Sequence, residues 1–146
     1  MAQEMYKHDA FLHLLWALAQ ADTTSDDDLY SGVSSLEDEY YEKIKNAEGI
    51  TISFSDMAAK RKELGYDKER IINEALKATN GCGREWRTKV YGYMWRMALK
   101  SWEGEFYDDW SKAKVSTNEH ALIKQAGSYF GITEAEDDKC IELTKV

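Results

Sequence analysis

The 146-residue chain has no proline, where average usage would place about seven. Proline breaks helix interiors and punctuates strand-rich folds at their turns. Its absence favours helices joined by Gly, Asn and Ser/Thr caps. Cysteine is nearly as scarce. Cys82 and Cys140 are too few for a disulfide framework, and Cys82, in Gly81-Cys82-Gly83, has no neighbouring His or Cys to form a metal or redox motif. Both read as reduced thiols. Positive charge is the minority sign: 19 basic against 27 acidic residues leave a net −8, which repels a phosphate backbone and argues against nucleic-acid binding.

Catalytic signatures are also missing. There is no glycine-rich phosphate loop, no Gly-x-Ser-x-Gly elbow and no His-Glu-x-x-His. Of the three histidines, His8 and His13 are five residues apart and face different sides of a helix, and His120 stands alone. A non-enzymatic protein is expected. No long hydrophobic run exists either: Phe11 to Ala19 is interrupted by His13 and preceded by Glu4, Lys7 and Asp9, so it is neither a signal-peptide core nor a membrane span. A cytoplasmic location follows as an expectation.

What the chain does have is rings and helical periodicity. Five Trp and nine Tyr imply a ring-rich core, with some rings left for a partner. A first helix is predicted from about Gln3 to Ala21, apolar nearly all round and therefore central. Ser25 and the acids Asp26, Asp27 and Asp28 open a second, which carries Leu29, Val33, Leu36, Tyr40 and Ile44 inward and stops near Gly49. Ile50 to Phe54 alternates like a strand but is short and unpartnered, and reads as an extended linker.

Ser55 then caps a short helix closed by Gly65, and Asp67 caps another running to Thr79. Asn80-Gly81-Cys82-Gly83 is a break. From Arg84 to about Trp102 a long helix carries Trp86, Val90, Tyr93, Met94, Met97 and Ala98 on a buried stripe. After the loop from Glu103 to Val115 come two capping boxes, Ser116-Thr117-Asn118-Glu119 and Thr133-Glu134-Ala135-Glu136, with Gly131 as the stop between the helices they open. The sum is one all-α domain over residues 1–146, about seven helices with short connections.

Two acidic clusters occupy matching places. An apolar helix runs into Asp22 and then a Ser-capped start ending at Asp28; another runs into Glu103 and, after a loop, a Ser-capped start ending at Glu119. A hard cation such as Ca²⁺ or Mg²⁺ needs several oxygens, which such turns offer as carboxylates, hydroxyls and free carbonyls. An acid three residues after Ser is equally what a capping box requires with no ion present. A calcium hand does not fit. Asp26, Asp28 and Glu37 suit its first, third and twelfth places, but Tyr30 and Ser31 stand at the fifth and sixth, and Leu29, Val33 and Leu36 keep helical period through the loop.

The pattern resembles the TerB-like tellurite-resistance family, in which an apolar helix leads into an acidic turn that is repeated in the second half before a Leu-Gly-Ile/Leu ending. Trp16 to Asp22 with Ser25 to Asp28 is similar to the first copy, and Val115 to Glu119 with Tyr129 to Glu136 to the second. Thr23 stands where the family has glycine, Glu103-Gly104 replaces Asp-Gly, and Glu105 to Lys114 is an insertion. The resemblance implies a compact bundle with a pseudo-repeated helix-turn-helix architecture, a cytoplasmic bacterial role in tellurite or stress response, and divalent cations held by Asp22, Asp28, Glu103 and Glu119. The alternative is a protein-interaction module that presents Trp102, Phe106, Tyr107 and Trp110, the acids being solvated caps. Expected partners are a protein or a second copy of the chain.

Overall fold

A computed structural model describes residues 7–19, 42–52, 54–65, 67–99 and 117–144. Six α-helices are described there: α1 (Lys7–Ala19), α2 (Phe54–Glu63), α3 (Lys68–Asn80), α4 (Arg84–Leu99), α5 (Thr117–Phe130) and α6 (Asp137–Glu142). A 3-10 turn, Glu134–Glu136, leads into α6, and residues 42–47 are also helical. No strand occurs among the described residues, so the protein is all-α.

The apolar run of α1 dictates its place. Every residue from Ala10 to Leu18 is buried, His13 included, and the helix packs along α3 and α4. A helix apolar on all faces has no solvent side to offer and must be surrounded. Helix α3 is amphipathic: Ile71, Ala75, Leu76 and Thr79 are buried, while Glu69, Arg70, Asn73 and Lys77 are exposed. The expected stripe of α4 is also internal, with Val90, Met94 and Met97 at most 1 % exposed. One hydrophobic cluster joins these helices to Leu122, Ile123, Ala126 and Phe130 of α5, to Cys140 and Ile141 of α6, and to Ile44 and Ile50.

The helix ends follow their local chemistry. The Asp67 carboxylate accepts from the Arg70 backbone N–H at 3.2 Å and caps α3 as its position predicts. Gly65 and Gly131 lie at φ 71°, the left-handed conformation that closes α2 and α5. At the second capping box, the Glu136 carboxylate accepts from both the Thr133 N–H and its hydroxyl at 3.3 Å.

Some boundaries shift from the sequence expectation. Phe54 belongs to α2 rather than to the linker, so Ser55 and Asp56 sit in its first turn. Asn80 is still helical, and the break begins at Gly81, whose N–H donates to the Lys77 carbonyl. The last helix starts as a 3-10 turn, a common form at a helix terminus.

Helices α4 and α6 approach unusually closely at Gly92. A Cβ placed there would lie 2.2 Å from the Cys140 carbonyl oxygen and 2.8 Å from the Thr144 methyl. Glycine in a helix interior costs about 1 kcal/mol relative to alanine. Here it lets two backbones meet.

Candidate functional site

Side-chain contacts fix the sense of α1, α5 and α6 against α4. His8 lies 6.0 Å from Trp86, and Phe11 packs its ring against both Trp86 and Tyr93 at 5.4 Å, so α1 and α4 run the same way. Helix α5 runs oppositely: Gly127 approaches Tyr91 while His120 lies 6.0 Å from Trp95. Helix α6 runs with α4, joined by Arg84 to Glu136, Tyr91 to Asp137 and Arg96 to the Ile141 carbonyl. The last residues of α1 and α4 and the first of α5 therefore point to one end of the bundle.

Glu119 is at that end, in the first turn of α5 and half-buried. Asp22, Asp28 and Glu103 lie outside the described residues, as does Ser116, the cap of the first box. The ring-rich segment with Trp102, Phe106, Tyr107 and Trp110 lies outside them too. Among the described residues no three His, Cys, Asp or Glu side chains group as a metal site would require. No described helix is long and apolar enough to cross a membrane.

No protein-family model, curated protein or solved structure matches the chain. Its chemistry must be read from its own side chains.

Several polar groups pair inside the bundle. The Tyr91 hydroxyl donates to Asp137 Oδ1 at 2.6 Å, both residues being buried. The Tyr93 hydroxyl donates to Glu48 Oε2 at 2.7 Å, and Lys89 Nζ donates to Glu48 Oε1 at 2.9 Å. Burial first, and then these carboxylate partners, push both phenols above the ordinary tyrosine range. Arg96 donates from Nε and Nη2 to the Ile141 carbonyl, which the Thr144 hydroxyl shares at 2.8 Å.

The two cysteines differ in setting. Burial, and then the charges of Glu136 and Asp137, push the Cys140 thiol up to about 11. Cys82 is exposed and donates to the Ala78 carbonyl at 3.2 Å.

Local sequence pattern does not single out Glu48 or Asp137. The available signal was the tyrosines: a Tyr on a buried stripe needs a partner for its hydroxyl.

Proposed function

We propose that the chain is a non-enzymatic TerB-like helical domain of a bacterial tellurite or stress response. In this reading its acidic turns hold a divalent cation at one end of the bundle. The supporting observation is directional: α1, which leads toward Asp22, and α4, which leads toward Glu103, end on the side where α5 begins with Glu119. A hard cation takes six to eight oxygens as Ca²⁺ or keeps several waters as Mg²⁺, and acidic turns brought to one end of a bundle would supply oxygen ligands. The polar pairs described inside the bundle are engaged with each other, which fits a body that supports its turns.

Thermal melts in chelator and in millimolar Ca²⁺ or Mg²⁺ test the reading. At one hundred times the dissociation constant an ion stabilises the chain by about 2.7 kcal/mol through mass action. Glu119→Gln and Asp28→Asn should each remove most of that increment. Without metal, Glu119→Gln should cost at most about 1 kcal/mol, since Gln serves a capping box and only the charge at the helix start is lost. If neither ion moves the parent's midpoint, the acids are caps. The ring-rich segment at Trp102, Phe106 and Trp110 then becomes the place to mutate, with retention of a protein partner as the readout.

A further inference from the structure

The imidazole of His13 is fully buried on α1. Its Nδ1–H donates to the Asp9 carbonyl at 2.7 Å, which leaves Nε2 as a buried acceptor with no donor opposite it. Trp16 lies beside it, 6.2 Å between ring centroids and nearly perpendicular. Across the gap stands α2. Its Arg61 is 4 % exposed, with the guanidinium 5.0 Å above the Trp16 ring.

Helix α2 buries few of its described side chains. Among its described side chains Met57 and Arg61 are buried, followed by Leu64 just past its end, while Ser55, Asp56, Ala59, Lys62 and Glu63 are exposed. Helix α3 is held to α1 differently, by an apolar stripe of Ile71, Ala75 and Leu76. His13 is thus opposed by a helix of which two described side chains, Met57 and Arg61, are buried.

The groups facing the ring among the described residues are few. From α1 the Asp9 carbonyl favours a charged imidazole, and from α2 the Met57 backbone does so too. Burial, Arg61 and Lys60 oppose it, Lys60 being shared with Glu63 at 3.3 Å. The opposition wins because a buried imidazolium loses its hydration and meets two cations of the same sign.

We infer that the His13 contact is an acid-sensitive latch: taking up a proton on Nε2 releases residues 54–64 from α1, while α1, α3 and α4 stay packed. The closed state holds a neutral ring, and the open state exposes it to water beside cations that can move away. Acid therefore favours opening.

The size of the response follows from linkage. Burial is the largest influence holding the closed-state pKa down to about 4, against 6.5 for a free imidazole. Stability from the neutral ring is complete above pH 6.5 and is lost as pH falls toward 4. From pH 7 to pH 5 the opening constant should rise about 20-fold.

Hydrogen exchange followed by mass spectrometry on the full chain, corrected for intrinsic rates, reads this segment by segment. Amides of 54–64 should exchange through an opening more frequent than that of 71–76 and 90–98, and that opening should show the 20-fold rise. In His13→Gln, which keeps a donor for Asp9 and takes up no proton, the 54–64 opening should lose its pH response. Three outcomes overturn the latch: 54–64 exchanging in step with α3 and α4, no rise at pH 5, or an undiminished rise in His13→Gln. Should the variant not fold, NMR titration of the parent's His13 ring decides, and a ring that protonates near pH 6.5 in the closed state overturns it.

Discussion

Gly92 and Cys140 meet backbone to backbone, so that a single methyl group on Gly92 would sit 2.2 Å from the Cys140 carbonyl oxygen. Helix propensity and packing then predict opposite signs for one substitution. Gly92→Ala gains about 1 kcal/mol of helix propensity. Overpacking against a backbone atom typically costs about 1–3 kcal/mol, and here no flexible side chain can yield. The variant should be less stable in urea titration, whereas Gly81→Ala, with its nearest atom at 3.6 Å, should change little. A more stable Gly92→Ala would show that α4 and α6 do not pack this closely.

Alkaline pH should unfold the protein through two tyrosines. Their folded pKa values are raised, by burial first and then by Asp137 for Tyr91 and Glu48 for Tyr93. The resulting stability is complete below about pH 10, the unfolded value, and is lost as pH rises above it. Each phenol contributes up to about 1.4 kcal/mol per pH unit in that window. Tyr91→Phe and Tyr93→Phe should each flatten the dependence of the urea midpoint above pH 10. Phenolate absorbance that reaches all nine tyrosines before unfolding begins would contradict the burial of these two.

Glu48 divides its carboxylate between a phenol and an ammonium group, and the two partners should differ in weight. Lys89 keeps 39 % of its side chain exposed, so solvent screens that pair and its coupling should be below about 1 kcal/mol. The Tyr93 hydroxyl is held against a carboxylate only 11 % exposed, where a charge-assisted bond contributes about 1.5–3 kcal/mol. Double-mutant cycles of Glu48→Gln with Tyr93→Phe and with Lys89→Met measure both couplings. Equal values would show that the Tyr93 bond is no better protected than the surface pair.

The start of the last helix separates a cap from an ion pair. Glu136 takes the Thr133 N–H on one oxygen and Arg84 on the other at 2.8 Å, with 56 % of the Arg84 side chain exposed. Glu136→Gln keeps the reach to Thr133 and should cost less than about 1 kcal/mol. Glu136→Ala loses both and should cost more, by about 1 kcal/mol. If the two variants melt together, the box contributes nothing.

The parts of this fold that were legible in the sequence are those set by near neighbours. Asp67 caps because its carboxylate reaches an N–H three residues on, and Gly65 and Gly131 close helices because each alone tolerates a left-handed backbone. The run from Ala10 to Leu18 announces a central helix because no face of it suits water. The approach of Gly92 to Cys140 and the pairing of Tyr93 with Glu48 join residues 48 and 45 positions apart. Local pattern carries no sign of them. Of the proposed ligands, Glu119 stands in a first helical turn as its spacing implies, and a first turn suits a cap and a ligand alike.

The central position of α1 carries a cost in time. During synthesis α1 leaves the ribosome before the helices that enclose it, and the end of α4 follows about 80 residues later. At about 5–20 residues per second that interval lasts roughly 4–16 s, far longer than a helix needs to form. Throughout it Phe11, Leu12, Leu14, Leu15, Trp16 and Leu18, all buried in the finished bundle, have no α4 to cover them. The most apolar of the described helices is thus one that waits long for its partners, and a nascent chain stalled before residue 84 would present it to chaperones or to other chains.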